Sequence, residues 1–303
     1  MYLSNETLYP TAGIDFGIEL DFLRDLQEEW LEDFDWAKQE AALNELSQFT
    51  TTIEALTVHF VREMSQEHDA IPLLLLHGWP GSFPEFLPVI KPLTQPWTSP
   101  TGKQISFNVV VPTLPGFLFS SPPPQNWTNS DTARLFNTLM TEILGYPTCE
   151  IAASNITLNA VEKVTAQRNV EFRARGTGYF VQQEFKPNSI GLALYDNPLG
   201  QLAWIGANIQ LCRYLPSIYR TPDLQRPTGS DPRAGTPPSS SVWIYAQNAN
   251  PFSTEYVQPP TDAPLLFSLY EFENMFWPRE YVARVGNLVL YKARFRGTFC
   301  GLG

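Results

Sequence analysis

Apolar positions along this chain fall into distinct rhythms. Between residues 15 and 50 they recur at helical spacing: Ile18, Leu20, Phe22, Leu23, Leu26 and Trp30, then a continuation from Trp36 to Leu46. Residues 49–53 and 56–62 alternate apolar with polar, as strands do. Residues 71–76 are apolar throughout and read as a buried parallel strand. That strand runs into His77-Gly-Trp-Pro-Gly81, and Ser82 is placed to cap a helix over residues 84–93. Residues 107–111 read as a second buried strand, 131–144 as a helix ending at Gly145, and 149–153 as a third strand.

Strand, turn, helix, strand, helix, strand predicts an α/β fold with a mostly parallel, doubly wound sheet. Active sites of such sheets lie at the carboxyl ends of the strands. Here those ends are residues 77–82, 112–117 and 154–157. The middle of the chain differs. Residues 158–175 read as a polar helix, 196–215 are apolar with small residues, and 221–240 are rich in Pro, Gly, Ser and Thr, as loops are. The αβ rhythm returns with a strand at 264–272, a helix at 278–285 and a strand at 288–295. The expected division is an N-terminal segment (1–65), an α/β core (66–157 and 258–303) and a helical, loop-rich cap (158–257).

Composition narrows the function classes. The 303 residues are 43% hydrophobic and 13% aromatic, which suits a globular protein with a sizeable core. The net charge of −11 argues against nucleic acid or an anionic membrane surface as a partner. Cys149, Cys212 and Cys300 have neither disulfide-framework nor metal-ligand spacing. No start typical of a secretory signal is seen, and no apolar run approaches the ~20 residues that span a bilayer. The expectation is a cytoplasmic protein, with peripheral membrane association and a homodimer left open, and with neither cofactor nor metal. Sequons begin at Asn5, Asn126 and Asn155; without a secretory signal they read as coincidence.

Motifs exclude more than they include. There is no Gly-x-Ser-x-Gly elbow for a serine hydrolase, no Gly-x-Gly-x-x-Gly and no P-loop. The turn His77-Gly78-Trp79-Pro80 is positive evidence of a kind. Placed after a buried strand, its backbone N–H groups read equally as an oxyanion hole or as a tight turn without chemistry. His77 itself reads as a packed structural residue, His59 as a strand residue and His68 as a loop residue.

Several stretches resemble the epoxide hydrolase family, in its microsomal-type and fungal branch. They are Asp35-Trp-Ala-Lys-Gln-Glu-Ala-Ala-Leu-Asn44, residues 73–86, Val111-Pro-Thr-Leu-Pro-Gly-Phe117, Gly178-Tyr179-Phe-Val-Gln182, Leu194-Tyr-Asp-Asn-Pro-Leu-Gly200, residues 241–248 and Phe276-Trp-Pro-Arg-Glu280. They run in order along nearly the whole chain. The resemblance implies an α/β-hydrolase fold with a cap domain. It also implies an Asp nucleophile that forms an ester with the epoxide carbon, and a His held by an acid that activates water. Two cap tyrosines would hold the epoxide oxygen, and the turn at His77–Pro80 would form the oxyanion hole.

The match is uneven at the reacting residues. Tyr179 matches the first cap tyrosine, Tyr245 the second, and Glu280 the acid that orients the His. Asn155 stands at the nucleophile position, and a carboxamide cannot form the ester. Thr298 stands at the position of the His. Only residues 158–177 separate this elbow from the Gly-Tyr-x-x-Gln stretch, so part of the family's core is expected to be deleted there. Three readings follow. One is ring opening of a hydrophobic epoxide by acid assistance from the tyrosines, with Glu280 as a base, whether as hydrolysis, isomerisation or cyclisation. The second is an inactive homologue, a pseudoenzyme that binds or is a degraded copy. The third is an incomplete sequence of an ordinary family member. The resemblance also points weakly to secondary metabolism.

Overall fold

The computed structural model describes residues 18, 20–79, 81–98, 102–146, 150–151, 172–195, 197–211, 238–248, 264–270 and 279–294. The N-terminal helical rhythm becomes α1 (Leu20–Glu28), prolonged by a wider turn at Glu29–Asp33, and α2 (Trp36–Asn44). Asp35 caps α2 by accepting from the Lys38 backbone N–H at 3.1 Å. The two alternating runs form a hairpin, β1 (Gln48–Ile53) and β2 (Leu56–Glu63). Its two-residue turn places Glu54 and Ala55 at φ of 49° and 64°. Positive φ at both central residues matches the twist of the flanking strands.

Next come β3 (Ile71–Leu74), a tight helical turn at Phe83–Phe86, α3 (Leu87–Thr94), the short pair β4 (Trp97–Thr98) and β5 (Gln104–Ile105), and β6 (Phe107–Pro112). Ser82 stands at the N-cap position before Phe83, but its side chain makes no capping bond. The expected cap is therefore one of position alone. Thr128 does what Ser82 does not. It closes a reciprocal capping box with Asp131 and starts α4 (Asn129–Thr138), which continues as a wider turn through Ile143. β7 (Glu150–Ile151) follows.

The main sheet has the order β1-β2-β6-β3-β7. β1, β2 and β6 pair antiparallel, while β6, β3 and β7 pair parallel. Alternation along β6 explains the two layers. Val110 joins a cluster with Phe60, Leu135, Leu139 and Met140 on the α4 face. Val109 and Val111 join Val61, Phe83 and Ile90 on the α3 face. All three valines are fully buried. Burying each such side chain contributes about 1.5–3 kcal/mol. A sheet covered on both faces is what a doubly wound fold requires.

Beyond the sheet lie α5 (Gly178–Phe185), preceded by a wider helical turn at Phe172–Gly176, then α6 (Pro187–Tyr195), α7 (Pro198–Leu211), α8 (Pro238–Ser241) and α9 (Trp243–Gln247). The polar helix expected at 158–175 is described only at its end, where it is this wider turn. The loop expected over 221–240 gives way at Pro238 to the start of α8. β8 (Pro264–Tyr270), α10 (Arg279–Val285) and β9 (Asn287–Arg294) complete the described elements, with β8 and β9 paired parallel. None of the described helices is long and apolar enough to cross a membrane.

A polar seam crosses the sheet from the N-terminal segment. Gln48 donates to the Leu43 carbonyl at 2.8 Å, and its Oε1 accepts from His59 Nε2 at 3.0 Å. His59 Nδ1 in turn accepts from the Thr113 hydroxyl at 2.7 Å. The seam thus runs from α2 through β2 to the carboxyl end of β6. His59 is 3% exposed, and burial pushes its imidazole down to about 4. It is a structural group of the sheet, neutral at ordinary pH.

Candidate active site

The site begins where β3 ends. Beyond Leu75, whose N–H still pairs with the Val110 carbonyl at 2.9 Å, the chain leaves the sheet and turns at His77. The His77 ring lies edge-on to Phe117, and its Nε2 accepts from the Leu114 backbone N–H at 3.1 Å. That bond occupies one nitrogen's lone pair, so the neutral ring carries its proton on Nδ1. Burial pushes the imidazole down to about 4, against an opposing contribution from the Gly78 backbone. With its basic nitrogen engaged, His77 cannot serve as a proton acceptor. Its work is to pin the turn to the loop after β6. A Cβ at Gly78 would meet nothing within 4 Å, so this part of the turn borders open space.

Trp79 carries the turn outward to the helices α5 and α9. Its indole stacks on Tyr179 of α5 with ring centroids 5.1 Å apart and 17° between the planes. It also meets Tyr245 of α9 edge-on at 6.1 Å. The two tyrosines lie edge-to-face with each other at 6.2 Å, and Phe180 closes on Tyr245 at 5.0 Å. The Tyr245 hydroxyl is pushed well above the ordinary range, by burial first and then by the charge and hydrogen bond of the Tyr179 hydroxyl. Tyr245, like any phenol at neutral pH, carries a proton, and its O–H is a hydrogen-bond donor suited to an oxygen that gains charge.

Three hydrogen bonds fix α8 and α9 over the core. The Ser240 hydroxyl donates to the Gly116 carbonyl at 2.8 Å. The Trp127 and Asn129 backbone N–H groups donate to Gln247 Oε1 at 2.9 Å and Asn248 Oδ1 at 2.8 Å. Gly116 is needed twice over. Its φ is +87°, and a Cβ there would stand 2.7 Å from the Ser240 carbonyl oxygen. On the far side, the Trp243 indole N–H donates to Asn188 Oδ1 at 2.7 Å, tying α9 to α6.

The structure thus brings together His77, Gly78, Trp79, Tyr179 and Tyr245, five of the residues singled out by sequence. Pro80, Asn155 and Thr298 lie outside the described residues, as do the three cysteines. Glu280 falls in α10. Two polar residues of the site region were not foreseen. Gln183, one helical turn beyond Tyr179, is fully buried, and neither of its carboxamide atoms has a hydrogen-bond partner among the described residues. Glu85, in the helical turn after Gly81, has its carboxyl group in the space that a Cβ on Gly81 would fill, and burial pushes it up to about 7. Single carboxylates near a helix start are common, so nothing in the sequence marked Glu85. Among the described residues no three His, Cys, Asp or Glu side chains gather as a metal site would need.

Two family models match the first half of the chain. Residues 3–86 match the family model described as epoxide hydrolase N terminus, and residues 71–148 match that for the alpha/beta hydrolase fold. An inferred epoxide hydrolase of Stigmatella aurantiaca is 34% identical over 230 residues, covering 64% of this chain and 52% of the relative. Epoxide hydrolase 1 of Oryctolagus cuniculus is 37% identical over 130 residues, covering 41% of this chain and 29% of the relative. The chain spans about half the length of the curated relatives it matches over the longest stretches. Among solved structures, an enantioselective mutant of the Aspergillus niger epoxide hydrolase superposes with a TM-score of 0.66 at 29% identity, over 93% of this chain and 80% of that one. The juvenile hormone epoxide hydrolase of Bombyx mori superposes with a TM-score of 0.73 at 21% identity, over 96% of this chain and 83% of that one. That second likeness is one of fold.

Proposed function

Because this chain belongs to the epoxide hydrolase family and has the α/β-hydrolase fold, we propose that it opens a hydrophobic epoxide with acid assistance from Tyr179 and Tyr245. The observation that carries this reading is the convergence of those two rings on each other and on Trp79. A C–O bond of a strained ring breaks readily once its oxygen is offered a proton. Tyr245, beside Tyr179, supplies that donor as a phenol O–H. The apolar, aromatic surroundings favour a hydrophobic substrate. The relatives' epoxide hydrolase names support the same substrate class.

The route differs from the covalent ester route that the resemblance implies. Asn155 offers no carboxylate to attack carbon, and Thr298 offers no imidazole to activate water. Opening by water, by isomerisation or by one of the substrate's own hydroxyls needs only the donor and positioning. The turn at His77–Pro80 then serves to hold the tyrosines' partner Trp79 and to present backbone N–H groups. The same two substitutions also favour a second reading, in which the protein binds an epoxide without turning it over. Incubation of the purified protein with a panel of aryl and alkyl epoxides in ¹⁸O-labelled water separates the two. Consumption with label in the product indicates hydrolysis, and consumption without label indicates isomerisation or cyclisation. Binding without consumption of any epoxide rules out the catalytic reading. A role in secondary metabolism rests on the resemblance alone.

A further inference from the structure

With Asn155 and Thr298 where the resemblance leads one to expect Asp and His, the proposed ring opening has a proton donor but needs a group to take a proton from water, a role that the sequence offers to Glu280. Three features point to Glu85 as a further candidate. It belongs to the same turn as the candidate oxyanion groups, since its carboxyl carbon lies 2.9 Å, and its Oε1 3.1 Å, from where a Cβ would stand on Gly81. Gly81 is two residues from Trp79, whose ring contacts both tyrosines. The carboxylate is half-buried, and among the described residues it has neither a hydrogen-bond donor nor a cationic partner. A carboxylate placed merely to complement the start of α3 would be stabilised in its charged form and held low. Glu85 is shifted the other way.

The titratable groups on elements packed around it do not compensate it. His77 is buried and neutral. His59, whose ring meets Phe83 of the same helical turn at 5.0 Å, is neutral as well. Lys91 on α3 is engaged with Glu45 at 3.3 Å on the surface. A desolvated carboxylate packed on the turn that bears Trp79 has a basicity matched to neutral pH, which is what water activation calls for.

We propose that Glu85 is the general base of this chain, accepting a proton from the water that opens the epoxide. This rests on the ring-opening reading above and commits it to water as nucleophile. In the step, the water oxygen bonds to an epoxide carbon while the C–O bond to that carbon breaks. One water proton passes to the Glu85 carboxylate, and a tyrosine proton passes to the departing oxygen. Transfer of the proton from Glu85 back to the tyrosinate, directly or through water, restores both groups.

The test follows styrene oxide in ¹⁸O-labelled water, as a single turnover with protein in excess, for wild type, Glu85→Gln and Glu85→Asp. The expected wild-type result is labelled diol in the first turnover, at a rate that rises with pH through about 7. Glu85→Gln is expected to lose at least about 100-fold in rate while still quenching its tryptophan fluorescence on binding styrene oxide. Glu85→Asp should recover part of the loss with a displaced pH profile. A merely structural Glu85 would not move that profile. Wild type that consumes no styrene oxide or any other epoxide overturns the ring-opening reading and this assignment together. Unlabelled diol in the first turnover overturns direct water attack. Wild type active on labelled water, with Glu85→Gln within threefold of it, overturns the assignment of Glu85 alone.

Discussion

The indole of Trp79 lies flat on the phenol ring of Tyr179, 5.1 Å between centroids, joining the turn after β3 to the first helix described beyond the main sheet. A single ring therefore measures how well that turn and α5 are registered. A donor hydroxyl displaced by as little as an ångström loses much of its effect on a reaction.

Replacing Trp79 by Ala should accordingly act on both stability and rate. Two aromatic contacts are lost, each contributing about 0.5–1.5 kcal/mol beyond area burial, so unfolding free energy should drop by roughly 1–3 kcal/mol. Urea unfolding measures this. Epoxide consumption should fall more steeply than stability does, because the tyrosines lose their common support.

Gly116→Ala tests the docking of α8. The substitution forces a positive φ on a residue with a side chain and drives its methyl group into the Ser240 carbonyl. The expected cost is about 2 kcal/mol or more. Limited proteolysis should cleave the α8–α9 region faster in the variant while the main sheet stays protected.

Stability should respond to acid through three groups that do not act in one direction. His59 and His77 fall from 6.5 to about 4 on folding, so between those values the unfolded chain binds more protons. Their contribution is complete above pH 6.5 and is lost as pH falls towards 4, about 3 kcal/mol each at most. Glu85 rises from 4.5 to about 7, so its neutral form favours the folded chain below 4.5, and that contribution is lost as pH rises through 7. Glu85→Gln should therefore steepen the loss of stability between pH 7 and 4. Parallel curves for wild type and variant would show that Glu85 is not desolvated.

Much of this site was legible in the sequence because its parts are local. The run at 71–76 reads as a buried strand; only Ile71–Leu74 form it, with Leu76 exposed beyond its end, and the turn that follows lies at the carboxyl edge, where Trp79 is found. Tyr179 and Tyr245 came from resemblance; no periodicity marks either. The two-sided core was also foreseeable, since Val109, Val110 and Val111 in succession leave no polar face. What stayed hidden depended on contacts remote in sequence. Ser82 has the chemistry of a cap and does not use it, whereas Thr128 and Asp131 close a capping box that was not foreseen. The role of Gly116 is set by Ser240, 124 residues away. Glu85 is perturbed by burial, which no spacing of carboxylates reveals.

The central claim is that the paired tyrosines open an epoxide in a chain without the expected Asp and His. The most direct measurement compares the rate of epoxide disappearance for wild type and the double variant Tyr179→Phe/Tyr245→Phe, with thermal unfolding as a control. The account predicts measurable consumption by wild type, a loss of at least about 100-fold in the double variant and an unfolding temperature changed by no more than a few degrees. A double variant that consumes epoxide as fast as wild type would contradict it, as would a wild-type protein that leaves every epoxide intact.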